Sequence, residues 1–268
     1  MTTNTTGTDR PGRTGHRAAW LAIGVPLTGA ALFFGSLNVV ALVGSQSDVE
    51  NHVYRENAVV RLDVAIGSGD IEVRHGPTGQ VTVRRRLTWA FSRPAASQRI
   101  SGATLFIRTN CGFRAVARCS SDYLVTVPAD VAVHAHTSSG TVTVDGVGGG
   151  LDLSTSSGDI RVRGGRGALL ARTGSGSIEV TGSASQDVSA HTGSGDAALT
   201  FDQSPRRVDA QTGSGDVDVA VPGRDRYRVT GDTGSGDRSI NVIQDPDANR
   251  SIRADTGSGD VTVRYLDG

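Results

Sequence analysis

One short phrase recurs through the second half of this chain and limits what it can fold into: Thr-Gly-Ser-Gly-Asp followed by an apolar, a polar and an apolar residue. It stands complete at Thr212–Val219 and Thr256–Val263, with close variants beginning at Thr137, Thr155, Thr173, Thr192 and Thr233. An early copy lacking the Thr runs from Gly67 to Val73. Between the second glycines (Gly140, Gly158, Gly176, Gly195, Gly215, Gly236, Gly259) the spacings are 18, 18, 19, 20, 21 and 23 residues. Self-similarity at such a period signals a solenoid or an array.

Each unit alternates on both sides of the phrase. Leu151 and Leu153, Leu169 and Ala171, Val188 and Ala190, Val208 and Ala210, and Ile252 and Ala254 precede it; Ile160 and Val162, Ile178 and Val180, Val217 and Val219, and Val261 and Val263 follow. Polar residues such as Arg161, Glu179, Asp218 and Thr262 fall between them. Period-two alternation describes strands with one wet face. One unit alone buries almost nothing, whereas stacked units bury a continuous stripe. The expected fold class is therefore all-β: a repetitive β-solenoid, parallel β-helix-like, with coils of about 18–23 residues. An antiparallel hairpin turning at Gly-Ser-Gly-Asp is the competing reading, since Gly and Asp suit either turn. Stacking sets each Thr above the next, where hydroxyls can hydrogen-bond along the stack. Arg238 falls where an apolar residue is wanted, and Tyr265–Gly268 is expected to end the stack.

The N-terminal part differs in kind. Residues 1–17 read as a disordered, basic cytoplasmic tail, and residues 18–44 carry no charge. A run of about 20 apolar residues spans a bilayer, so 18–44 is expected to be a single transmembrane helix in contact with lipid. Arg10, Arg13 and Arg17 before it, against Asp48 and Glu50 after it, place the N-terminus inside and the rest outside the cytoplasm. A cleaved signal peptide is the rival; its apolar core is shorter and ends in a small-x-small site, which is lacking here. Residues 45–58 read as a linker and 59–268 as the extracytoplasmic β-repeat domain, interrupted by an insertion at 84–122.

That insertion has two marks. From Arg74 to Ser121 there is no acidic residue while nine Arg accumulate. Arg84, Arg85 and Arg86 are the candidates for binding a polyanion, because a one-signed surface attracts one; pairing with acids elsewhere in the chain is the plainer alternative. Cys111 and Cys119 are the only cysteines, and an even count outside the cytoplasm reads as a disulfide. The spacing is not Cys-x-x-Cys, and two thiols without a nearby His make an incomplete metal site.

The Asp ladder could hold Ca²⁺, with Asp196, Asp216, Asp237 and Asp260 as the candidates, although Thr141 and Ser177 interrupt it. An Asp accepting backbone N–H groups in its own turn explains the same position. Gly-x-Gly here neither opens a helix nor carries Lys, which argues against a phosphate-binding loop. His134 and His136 share one face of a strand, opposite Val131 and Val133. No catalytic set is legible, no cofactor is implied, and no nucleic-acid motif is present.

The run Tyr123-Leu124-Val125-Thr126-Val127-Pro128-Ala129-Asp130-Val131 and the serial repeats after it resemble the bacterial putative-adhesin β-strand-repeat family, a domain of unknown function. The resemblance covers about residues 60–268, and the paired cysteines before the Val-Pro segment are similar to those of some membrane-anchored members. It implies a β-solenoid on the cell surface and roles in adhesion or envelope-stress signalling, and it supplies no catalytic residues. The expected function is that of a non-enzymatic surface binding module for cell-wall polymer or an envelope protein. Envelope-stress sensing is the alternative, and a polysaccharide-cleaving β-helix enzyme a third reading.

Overall fold

The structure is a computed structural model that describes residues 46–54, 59–90, 92–111 and 119–266. The tail at 1–17 and the apolar span at 18–44 lie outside the described residues. Within them no helix is long and apolar enough to cross a membrane.

The described chain is all strand and turn. Its N-terminal part contains β1 (Gln46–Tyr54), β2 (Arg61–Ser68), β3 (Ile71–His75), β4 (Val81–Trp89), β5 (Ala95–Ser101), β6 (Thr104–Asn110) and β7 (Cys119–Val127). The regular array follows as β8 (Ala132–Ser139), β9 (Val142–Asp145), β10 (Leu151–Ser157), β11 (Ile160–Arg163), β12 (Leu169–Ser175) and β13 (Ile178–Ser183). It continues through β14 (Asp187–Ser194), β15 (Ala197–Phe201), β16 (Arg207–Thr212) and β17 (Val217–Val221). The last four strands are β18 (Arg228–Thr230), β19 (Arg238–Asn241), β20 (Ser251–Thr256) and β21 (Val261–Tyr265).

The strands form two sheets. One has eleven strands in the order β1-β4-β7-β3-β9-β11-β13-β15-β17-β21-β19, the other ten in the order β18-β20-β16-β14-β12-β10-β8-β2-β6-β5. Each coil contributes one strand to the second sheet, turns at Gly-Ser-Gly-Asp, and contributes its next strand to the first. Neighbouring coils pair in parallel, residue for residue: Thr137, Thr155, Thr173, Thr192, Thr212 and Thr256 lie side by side. The solenoid reading is the observed one, and the hairpin alternative falls because its two arms would have to pair with each other.

The core is the space between the sheets. Inward columns run along Val133, Leu151, Leu169, Val188, Val208 and Ile252 on one side and Val142, Ile160, Ile178, Ala197, Val217 and Val261 on the other, all buried. Burying one such aliphatic side chain contributes about 1.5–3 kcal/mol, so adjacent coils stabilise one another through shared columns.

Three features depart from the sequence reading. Residues 46–54, read as linker, form β1, paired antiparallel with β4 from Gln46↔Trp89 to Tyr54↔Val81. The insertion at 84–122 adds strands to both sheets beyond the first coil: β4 and β7 in one, β6 and β5 in the other. At the far end the order is reversed. β20 and β21 insert beside β16 and β17, leaving β18 and β19 outermost. The chain end therefore does not close the stack. The coil containing Arg238 does, and its exposed position explains why an Arg is tolerated there.

Candidate functional site

The corner comes first, because its residues are the most regular. Every phrase Thr donates its hydroxyl to the carbonyl of the second glycine in a neighbouring coil: Thr137 to Gly69, Thr155 to Gly140, Thr173 to Gly158, Thr192 to Gly176, Thr212 to Gly195, Thr256 to Gly215 and Thr233 to Gly259, at 2.7–3.1 Å. Hydroxyls thus bond across coils, as stacking suggested, but to glycine carbonyls and not to one another. The second glycine is required there. Gly176 has φ +140°, and a Cβ on it would run into the Gly158 carbonyl oxygen.

The four Ca²⁺ candidates stand in one row, in the spatial order Asp196, Asp216, Asp260, Asp237. They are used by the backbone: Asp196 Oδ1 accepts the N–H of Asp216 (2.9 Å), Asp216 Oδ1 that of Asp260 (2.8 Å), and Asp260 Oδ1 that of Asp237 (2.8 Å). Asp70 and Asp159 do the same for Thr141 and Ser177. The carboxylate caps the next coil, not its own turn. Where Ser177 replaces Asp, its hydroxyl stands near the Asp196 N–H at 3.2 Å and serves as the acceptor. Among the described residues, no group of three or more His, Cys, Asp or Glu is placed to hold a metal ion.

Cys111 and Cys119 are bonded, with Cα atoms 6.1 Å apart. They join the end of β6 to the start of β7 and so tie the two sheets together at the N-terminal end of the stack.

Arg84, Arg85 and Arg86 are not brought together on one face. Strand alternation turns Arg85 inward between Val83 and Leu87, where its side chain is 11% exposed and bonds Glu50 at 2.6 Å. Arg84 and Arg86 point outward into a shallow groove that also presents Asp70, Glu72 and Asp122. Other Arg of the acid-free stretch find carboxylates that precede it: Arg74 with Glu72, Arg93 with Asp48 and Glu50, and Arg108 with Asp63. The hydrogen bond from His52 and the Arg85 and Arg93 guanidinium groups hold the Glu50 carboxyl below the usual range, with burial opposing them.

The outward face of the ten-stranded sheet carries the remaining chemistry. His134 and His136 both point out on β8, with His134 Nδ1 3.3 Å from Asp152 and His136 Nδ1 2.9 Å from Ser154 Oγ. Further along, Ser189, His191 and Asp209 meet, a grouping created by register between coils and invisible in the one-dimensional spacing. It is not a catalytic relay. Ser189 Oγ (2.8 Å) and Asp209 Oδ2 (3.8 Å) approach the same ring nitrogen, Nε2, whereas a triad needs the base and its orienting acid on opposite nitrogens.

Beside these rows runs a shallow trough. Its first half, about 500 Å³, is lined by Arg61, Asp63, His134 and Asp152 over Ala132, Gly150 and Ala168. Its second half, about 510 Å³, is lined by Asp187, Ser189, Arg206, Arg207 and Asp209. The halves share Leu151 and Ala168. Small floor residues in three successive coils make the depression, and charged groups of both signs rim it.

Among solved structures, the chain is similar to a "putative adhesin" from Bacteroides fragilis at 12% identity, covering 82% of this chain and 97% of that one with a TM-score of 0.44. A "putative adhesin" from Parabacteroides distasonis matches at 13% identity, 82% and 97% coverage and a TM-score of 0.40. A "putative cell adhesion protein" from Clostridium sporogenes matches at 10% identity, 82% and 100% coverage and a TM-score of 0.35. No curated protein matches the chain. The Toastrack DUF4097 family profile matches residues 57–264, reaching into β21, the last strand in sequence, and the chain belongs to that family.

Proposed function

We propose that this protein is a non-catalytic binding module of the cell envelope, held to the membrane by residues 18–44, and that it takes an extended, polar polymer of the cell wall. The observation that carries the reading is the trough across the ten-stranded sheet. It is long, open and flat-floored, and along its rim, on strands roughly 4.8 Å apart, it offers carboxylate, imidazole, hydroxyl and guanidinium groups interrupted by Leu170. Such a surface suits a chain of hydroxylated units that makes hydrogen bonds to several successive coils, whereas a small molecule prefers an enclosed pocket. The disulfide fits an oxidising compartment, and the uncharged run before β1 fits an anchor.

The test is co-sedimentation of the full-length chain, in detergent micelles, with purified cell-wall polymer. The wild type is expected in the pellet at physiological salt. Ala168→Arg fills the exposed floor of the trough and is expected to leave the protein folded but in the supernatant. A wild type that stays in solution, or an Ala168→Arg variant that binds as well, refutes the reading.

A further inference from the structure

We propose that β1 is a dimerisation edge: two copies of this chain pair antiparallel along β1, with Asn51 facing the second copy's Asn51, and join their eleven-stranded sheets into one. Every open sheet invites such pairing, and proteins blunt their edges with short strands, charges, bulges or proline. Three of the four edges here are blunted or polar. β18 and β19 are three and four residues long and carry Arg228 and Arg238. β5 turns Ser97, Arg99 and Ser101 outward, with Arg99 stacked over Phe106.

β1 is the least protected: its two carboxylates, Asp48 and Glu50, point inward and pair with Arg93 and Arg85, leaving its outer face uncharged. It is nine residues long, has no Pro, Lys or Arg, and pairs with β4 on one side only among the described strands. Val49 and Val53 are 46% and 52% exposed, two of the five large apolar side chains left in solvent among the described residues. Both lie on its outer face with Ser47 and Asn51, since Asp48, Glu50, His52 and Tyr54 stand opposite the inward residues Leu87, Arg85, Val83 and Val81.

That alternation selects the register. In an antiparallel pair directly opposed residues share a face, so a slip of one residue would set the valines against carboxylates. Among the allowed registers, centring on Glu50 opposes two like charges, and centring on His52 leaves each valine facing Asn or a residue beyond the strand. Centring on Asn51 places Val49 against the second copy's Val53 and Glu50 against its His52. Both valine pairs form at once, because the two-fold axis repeats every contact.

Cysteine crosslinking of the full-length chain in detergent micelles tests the register. Opposed Cα atoms lie about 4.5–5.5 Å apart, within disulfide reach, so mildly oxidised Asn51→Cys is expected to give a covalent dimer on a non-reducing gel. Ser47→Cys, far from its own counterpart in this register, is expected to stay monomeric. Val49→Cys mixed with Val53→Cys is expected to crosslink, and neither alone. Adding Val49→Lys to the Asn51→Cys chain removes both valine pairs and is expected to cut dimer yield about tenfold. Its melting temperature should not change, since the site is exposed. Equal crosslinking from Ser47→Cys would mean random collision and overturn the proposal. So would no crosslink at Asn51→Cys together with a monomeric mass by light scattering.

Discussion

Replacing Thr192 by Val tests whether the corner is held by hydroxyls or merely by shape. The Thr192 side chain is buried, 6% exposed, and its hydroxyl reaches the Gly176 carbonyl at 2.7 Å. Valine keeps the shape and removes the donor. The lost hydrogen bond is worth about 0.5–1.5 kcal/mol, and an acceptor left without a partner adds to that. The extra methyl returns at most about 0.8 kcal/mol. The net cost is on the order of 1–2 kcal/mol, which for a domain of this size lowers Tm by roughly 2–8 °C. Thr233 makes the same bond, to Gly259 at 2.7 Å, but in the half-exposed outermost coil. Water can replace the hydroxyl there, and Thr233→Val should cost only a few tenths of a kcal/mol. Thermal unfolding of both variants by circular dichroism decides the matter. If the two shift Tm equally, or if Thr192→Val does not shift it, burial of the bond is not what holds the coils.

Two further perturbations address other parts of the frame. Gly176→Ala should destabilise the protein more than Thr192→Val, because its Cβ meets the Gly158 carbonyl at a φ of +140°; Gly102→Ala, with φ +57° and open space, is the comparison. Matched thermal melts of the two alanine variants check this. Glu50→Gln should destabilise the protein near neutral pH through lost pairing with Arg85 and Arg93. The Glu50 carboxyl is held below its ordinary value in the folded state. Its contribution is therefore complete above the unfolded carboxylate pKa of about 4.3 and is lost as pH falls through the lower folded value. The Tm gap between wild type and Glu50→Gln should close in that acid range; a gap constant down to pH 3 would contradict the assignment.

The array was legible because each coil makes the same local demands: a Thr to bond the neighbouring carbonyl, a glycine at positive φ and an acceptor after it. What the sequence left hidden involves choices between neighbours. Nothing in residues 228–265 states that the last coil slips inside the one before it, since both carry the same phrase. β1 escaped because its inward face bears Asp48, Glu50 and His52 at the end of the stack, where an apolar face is not needed. The Arg84–Arg86 run looked like one patch because proximity in sequence is not proximity on a strand: alternation sends the middle residue to the opposite face. Ser189, His191 and Asp209 converge only because coils of unequal length keep one register through their strands.

Keeping that register while coil length varies requires the excess to leave at the corner opposite Gly-Ser-Gly-Asp. The loops there are tied by their own bonds: Arg250 donates to the carbonyls of Ser204 (2.8 Å) and Pro205 (3.1 Å), and the Tyr265 hydroxyl to that of Asp225 (2.6 Å). One corner is thus fixed by the Thr, Gly and Asp groups and the other by loop-specific contacts, which leaves the outward strand positions free of structural duty. Asp152, Leu170, Ser189 and Asp209 occupy equivalent places in four successive coils, yet the residue changes from each coil to the next. A scaffold would be as stable with four identical polar residues there. The conspicuous aspartates and glycines of the repeat are consumed in building the frame, so the proposed recognition falls to the unrepeated residues on its outward faces.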